Sequence, residues 1–186
     1  IKNSIVGTFF STPQGVNTTL SGKKKALIEL VSLLEKKFKL TIKDKTWSSS
    51  NSLTFKRLKI KCRNRLLPLK GDFDPVTSRG KHLNYQDWNK LITDPNTIIL
   101  DVRNNYETEI GTFKNSIIPK MDNLTEFPHF VDKELSEIKK KKIAMFCTGG
   151  IRCEIASSFM MNEGFEDVYQ LDGGILRYLK DVQEEN

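Results

Sequence analysis

The sequence predicts an α/β chain in which a parallel sheet flanked by helices follows a smaller α+β domain that looks N-terminally incomplete. Three observations carry this. After residue 82, apolar runs of four or five residues alternate with helical patterns, as buried parallel strands do. Before residue 70 there are two β-rich runs, one amphipathic helix and one further strand. Between them, a turn-rich stretch with Pro75, Gly71 and Gly80 coincides with a change in the sign of the charge. The expected domains are residues 1–70, a linker over 71–81, and residues 82–182.

Hydrophobic residues at 38% and charged residues at 28% place the 186-residue chain among ordinary globular proteins. Its longest apolar runs are too short to span a membrane, so no membrane association is expected. Three cysteines, Cys62, Cys147 and Cys153, form no disulfide framework, and a reducing, cytoplasmic compartment is expected. The chain begins at Ile1 without an initiator methionine, so a longer parent is expected.

Residues 1–81 hold 18 Lys and Arg against 5 Asp and Glu, a net of +13. Residues 82–186 hold 12 against 18, a net of −6. That asymmetry is either a polyanion-facing half or a solvated lysine-rich surface.

In the N-terminal part, Ser4–Phe10 and Val16–Leu20 read as strands joined by a Pro13-Gln14-Gly15 turn. Lys24–Phe38 reads as a helix, with Leu27, Leu30, Val31, Leu34 and Phe38 on one face. Leu53–Arg63 reads as a strand in which Leu58, Ile60 and Cys62 alternate with basic residues and are expected in the core. Arg57, Lys59, Lys61, Arg63 and Arg65 share the other face, a stripe suited to nucleic-acid phosphates. Trp47 and Phe55 are expected in the core, with stacking on bases as the alternative.

In the C-terminal part, Asn84 caps a helix through Leu91, and Ile98–Val102 is a strand. Asn105–Gly111 starts another helix, Ile117-Ile118 is a short strand, and Phe130–Lys140 is a helix. Strand Ile143–Phe146, helix Arg152–Asn162, strand Val168–Leu171 and helix Gly174–Val182 complete the pattern. Ligands bind at the carboxyl ends of such strands, which points to the loop after Phe146.

That loop is Cys147-Thr148-Gly149-Gly150-Ile151-Arg152. The paired glycines let successive amides turn inward as a nest for negative charge, and the following helix adds the positive end of its dipole. Arg152 adds a permanent cation. A thiol at this position is expected to be a thiolate nucleophile, with Thr148, Gly149, Gly150 and Ile151 forming the anion cradle. Asp101, at a strand end, is expected to brace the Cys147 loop through its backbone amides. Arg103 either reaches the same crevice or pairs with Glu107. Cys153 is expected to pack, with resolution of a persulfide or disulfide as the alternative. No dinucleotide fingerprint is present, and His82 and His129 do not suggest an iron triad, so no cofactor or metal is expected.

Cys147-x-x-x-x-Arg152 has the loop length of rhodanese-type sulfurtransferases, one residue shorter than that of dual-specificity phosphatases, which argues against phosphate-ester hydrolysis. Asp101-Val102-Arg103 with Glu107 and Gly111 resembles the first rhodanese signature, and Leu171-Asp172-Gly173-Gly174-Ile175 the last. The usual Gly-His-Ile-x-Gly-Ala segment is replaced by Gly111-Thr112-Phe113-Lys114-Asn115-Ser116. More narrowly, Phe146-Cys-Thr-Gly-Gly-Ile-Arg-Cys-Glu154 resembles the tRNA uridine hydroxylase family, as does the stretch from Asp101 to Lys114. Thr12–Gly22 is similar to that family's Glu-Gly-Ile-Asn-Gly-Thr segment, with Thr18 in place of a glycine.

The resemblance implies a rhodanese-like domain behind an acylphosphatase-like, ferredoxin-like domain. The first strand and helix of the latter, and the cysteine-rich tail of many members, are expected outside this sequence. It further implies 5-hydroxylation of a wobble uridine in the anticodon region of tRNA, with molecular oxygen as co-substrate. Cys147 would pass through a persulfide, loaded by a sulfur donor. The alternative is a plain sulfurtransferase acting on a small thiol, cyanide or a carrier protein. A third reading is a non-catalytic module, against which the presence of both Cys147 and Arg152 argues.

Overall fold

Alternating β-formers on either side of a short turn build the first hairpin. Strands β1 (Val6–Thr12) and β2 (Gly15–Ser21) pair antiparallel, with Thr12 opposite Gly15. Helix α1 (Lys24–Phe38) follows and stops where Lys39 turns left-handed at φ 50°. It carries the chain back so that β3 (Leu58–Cys62) pairs parallel with β1, giving the order β2-β1-β3. The computed structural model describes all residues except 1–4, 14, 40, 43–44, 65–68, 70–72, 76 and 185–186. It divides into two units, residues 1–66 and 67–186.

In the first unit, the helical periodicity holds for most of α1. Ala26 is buried and Leu27, Leu30, Val31 and Leu34 are half-buried, while Phe38 is exposed. Strand β3 departs from expectation. Leu58 is 43% and Ile60 66% exposed, and Cys62 is exposed as well, so none of the three is core. An alternating pattern says which residues share a face of a strand, and here no described element covers the apolar face of this edge strand. Trp47 is also exposed, and Phe55 is half-buried.

The second unit is a four-stranded parallel sheet. Its strands are β4 (Lys81–Leu83), β5 (Thr97–Asp101), β6 (Lys142–Phe146) and β7 (Val168–Leu171), in the order β4-β7-β6-β5. Helices α2 (Tyr85–Ile92) and α6 (Gly174–Glu184) pack with one core cluster, in which Trp88, Ile99, Ala144, Phe146 and Leu171 are buried together. Helix α5 (Ile151–Asn162) packs on β6 and β7 and is buried without a break from Ile155 to Met160. Asn84 caps α2 as expected, its side chain accepting from Asp87 N at 2.8 Å. No helix among the described residues is long and apolar enough to cross a membrane.

Local signals account for most of these elements, and the differences have local causes. Helix α3 (Asn105–Thr108) is a single turn, started by a capping box between Asn104 and Glu107. Ile117 forms only an isolated bridge to Leu100. The expected helix at Phe130 starts earlier and is irregular. A 3₁₀ turn at Leu124–Glu126 leads into α4 (Phe127–Phe130), whose Pro128 sits in the first turn, and a π turn and a 3₁₀ turn follow to Ile138.

Strand β4 was not anticipated, since three residues carry no readable period. It begins inside the segment read as linker, whose described residues are packed chain. Phe73 meets Phe159 edge-on at 6.0 Å, and Gly80 N donates to Ser157 Oγ at 2.9 Å.

Candidate active site

Strand β6 ends at Phe146, and the next residue, Cys147, is only 1% exposed. The loop then turns through Gly150, at φ 91°, into α5. That left-handed conformation strains any residue with a Cβ, and it aims the Gly150 amide back at Cys147 Sγ, 3.1 Å away. The amides of Arg152 and Cys153, in the first turn of α5, favour the charged form of the sulfur. Cys147 is therefore held at a helix N-terminus, in a setting that favours its anion.

The Cys147 pKa falls to about 6. The largest cause is a hydrogen bond from the Cys153 thiol; burial opposes it, and the Arg152 charge and the two amides add to it. Burial and the neighbouring thiolate push the Cys153 pKa well above that of an ordinary thiol. At neutral pH one sulfur is thus an anion and the other its proton donor. Cys153 is wholly buried, as a packing residue would be, and it also tunes its neighbour.

A second contact fixes the loop from the opposite side. Ile175 N donates to Cys147 O at 2.8 Å and Leu176 N to Thr148 O at 3.2 Å, so the first amides of α6 hold the loop carbonyls. Gly174 makes this approach possible. A Cβ there would lie 2.5 Å from Cys147 O and 2.6 Å from Thr148 O, at a φ of +66°. The Asp172-Gly173-Gly174 signature has this physical reason.

Arg152 reaches away from the sulfur to Glu107. Both guanidinium contacts are 2.6 Å, and Nη2 also donates to Thr148 Oγ1 at 3.1 Å. The Thr148 hydroxyl donates in turn to Glu107 Oε1. Burial raises the Glu107 pKa, but hydrogen bonds from Arg152, Thr148 and the Asn104 amide outweigh it and bring the carboxyl down to about 2. Arg152 acts on Cys147 through its charge while Glu107 holds its side chain.

Two expectations about the neighbouring strand end are corrected. Asp101 does not bond the Cys147 loop amides. Its carboxylate accepts from the Arg103 amide at 3.1 Å, from Arg103 Nε at 2.9 Å and Nη2 at 2.6 Å, and from Thr112 Oγ1 at 2.8 Å. Arg103 pairs with Asp101 and not with the Glu107 carboxylate. Its remaining donors go to the carbonyls of Glu107 at 3.2 Å and Gly111 at 2.5 Å. Asp101 and Arg103, both buried, brace the segment that delivers Glu107, because a buried charge needs a partner with matched geometry.

Of the two roles left open for Arg103, the structure places it at the cavity wall, and Glu107 serves Arg152. Glu107 lies 45 residues from Arg152, and only its place in the Asp101–Gly111 signature hinted at a role. Also unforeseen is an adjacent cavity of about 450 Å³, lined by Glu107 and Thr148 on the loop side and by Ile110, Phe113, Leu176 and Leu179 among its apolar residues. Among the described residues, no group of three or more His, Cys, Asp or Glu side chains could hold a metal ion.

A rhodanese-like domain model matches residues 84–181. The chain belongs to the rhodanese-like family. A second model, the UPF0176 acylphosphatase like domain, matches residues 1–66, so the rhodanese domain follows an acylphosphatase-like one. Among solved structures, the rhodanese domain is similar to a rhodanese-related protein from Thermoplasma volcanium, at 24% identity over 54% of this chain and 92% of that one, with a TM-score of 0.44. It is also similar to a rhodanese-like domain protein from Staphylococcus aureus, at 24% identity over 53% and 90%, with a TM-score of 0.44.

The basic stripe belongs to the N-terminal unit. Arg57, Lys59, Lys61 and Arg63 are all exposed, and Arg65 lies outside the described residues. Arg57 O accepts from Gly7 N at 3.1 Å and Arg63 N donates to Ser11 O at 2.9 Å, so β1 holds both ends of the stripe. The Arg63 guanidinium and the Lys61 ammonium lie 5.2 and 5.9 Å from the centre of the Phe10 ring.

Proposed function

We propose that this protein is a tRNA-modifying enzyme that 5-hydroxylates wobble uridine, working through a persulfide on Cys147. The observation that carries the reading is the placing of Cys147: a buried sulfur at the N-terminus of α5 with the Gly150 amide 3.1 Å away, a setting that lowers its pKa. A thiolate so held attacks the sulfane sulfur of a donor. The new S–S bond forms on Cys147, the donor's own bond to that sulfur breaks, and the donor leaves with the electron pair. The terminal sulfur of the persulfide takes over the anionic charge.

Support for tRNA as the acceptor comes from the likeness of the Cys147 loop and the Asp101–Lys114 stretch to the tRNA uridine hydroxylase family. The exposed basic strand in the acylphosphatase-like domain adds to it, since a row of cations suits a phosphate backbone. Dioxygen is the co-substrate on this reading, and the protein works in the cytoplasm where its tRNA is.

The test is mass spectrometry of tRNA nucleosides from cells that lack the gene or carry Cys147→Ala. Loss of 5-hydroxyuridine-derived nucleosides in both strains is expected. Their persistence, together with loss of sulfur transfer to small thiols or cyanide, would make the protein a sulfurtransferase instead.

A further inference from the structure

Two guanidinium groups stand near the Cys147 loop, and each is paired with a carboxylate. Arg152 is held by both oxygens of Glu107 and by Thr148. Arg103 is held by Asp101 and by the carbonyls of Glu107 and Gly111. The Gly150 amide already donates to the sulfur. A small dianionic donor such as thiosulfate therefore meets no unengaged cation among the described residues of this crevice.

Arg103 and Glu107 line the adjoining cavity, but most of its surface is apolar. Its volume of about 450 Å³ holds a small organic group, and its lining is mainly apolar: Ile110, Phe113, Ile175, Leu176 and Leu179. Thr148, the residue after Cys147, lines it too, so a group seated there lies beside the reactive loop. Ile110 at 88% exposed and Leu176 and Leu179 at about half keep apolar surface in water unless something covers it.

We propose that Cys147 takes its sulfur from a carbon-bound persulfide whose apolar group occupies this cavity, and not from thiosulfate. The inference rests on the reading of Cys147 as a persulfide former. The thiolate attacks the outer sulfur of R–S–SH. The Cys147 S–S bond forms, the donor's own S–S bond breaks, and R–S⁻ leaves with the electron pair and is then protonated. The proton on the transferred sulfur stays with it or passes to solvent, and no oxidant or reductant is consumed.

The experiment loads the purified chain from benzyl persulfide or from thiosulfate and follows the addition of one sulfur atom by intact-protein mass spectrometry, with Cys147→Ala as the blank. The wild-type chain is expected to load from benzyl persulfide with kcat/KM about tenfold or more above thiosulfate, the size of burying part of the benzyl group's apolar surface. Leu176→Lys, at a half-exposed position that tolerates a charge, should slow benzyl persulfide and speed thiosulfate. Glu107→Gln should speed thiosulfate by freeing Arg152. Equal or faster loading from thiosulfate in the wild type, unmoved by Leu176→Lys, overturns the proposal and leaves the persulfide reading standing. If neither donor adds sulfur to a folded chain, the persulfide reading falls and takes this inference with it.

Discussion

The Cys147 loop and strand β3 both present donors to an anion, and they differ in how the donors are arranged. In the loop, the Gly150 amide donates to a single buried sulfur, and the amides that open α5 favour its anion. On β3 and at its two ends, Arg57, Lys59, Lys61 and Arg63 are spread along an exposed edge strand. A setting built around one atom tolerates little change, because backbone fixes its amides. A spread row suits an extended polyanion, with contributions that add and that salt screens.

The comparison breaks most visibly at the loop. Cys147→Ser should abolish persulfide formation while leaving tRNA binding by the basic strand intact, as filter binding would report. Gly174→Ala should cost about 2–4 kcal/mol, because its methyl group meets two loop carbonyls in a left-handed backbone. A urea midpoint that does not move would show that α6 does not hold the loop.

Arg152→Ala leaves the Glu107 carboxylate unpaired in a partly buried site and should cost about 1–3 kcal/mol. The pH dependence sharpens this. Glu107 is lowered from 4.5 to about 2, so its contribution is full above pH 4.5 and is lost as pH falls through 2. Acid unfolding curves of Arg152→Ala should lack that component.

Alkylation of Cys147 by iodoacetamide should be fast above pH 6 and fall below it, following the thiolate. Cys153→Ala removes the largest cause of that lowering, so the midpoint should move up; an unchanged midpoint would leave Cys153 a packing residue only. The lowered thiol also contributes stability that is full above 9.0 and is lost as pH falls through about 6.

The smallest effect on stability belongs to β3. Lys59→Ala with Lys61→Ala should shift unfolding by no more than about 0.5 kcal/mol and leave Cys147 alkylation untouched. The same pair should weaken tRNA binding and lower the salt slope by about two. Binding that ignores both changes would mean the stripe is only a solvated surface.

How legible each region was follows from the distance over which its contacts act. The Cys147 cradle lies within one strand–loop–helix step, so its residue types and spacing announced it. The Arg152 partner was not legible, because Asp101, Glu107 and several other carboxylates were equally plausible until packing chose. Pairing of Arg103 with Asp101 released Glu107 for Arg152. On β3 the period of two identified the shared face, yet burial of Leu58, Ile60 and Cys62 depended on a covering element that the period does not specify. Strand β4 was missed because three residues are too few to carry a pattern and are held in place by β7.

By itself, the sequence determined the order of most strands and helices, the place of the Cys147 loop and the basic face of β3, all of which follow from backbone preference and local spacing. Tertiary structure alone decided that Glu107 engages Arg152, that Gly174 lets α6 clasp the loop, and that an apolar cavity adjoins Thr148. The physical reason is that charge pairing and cavity shape depend on which distant segments meet, and many residue pairs satisfy the same local rules until the sheet brings one of them together.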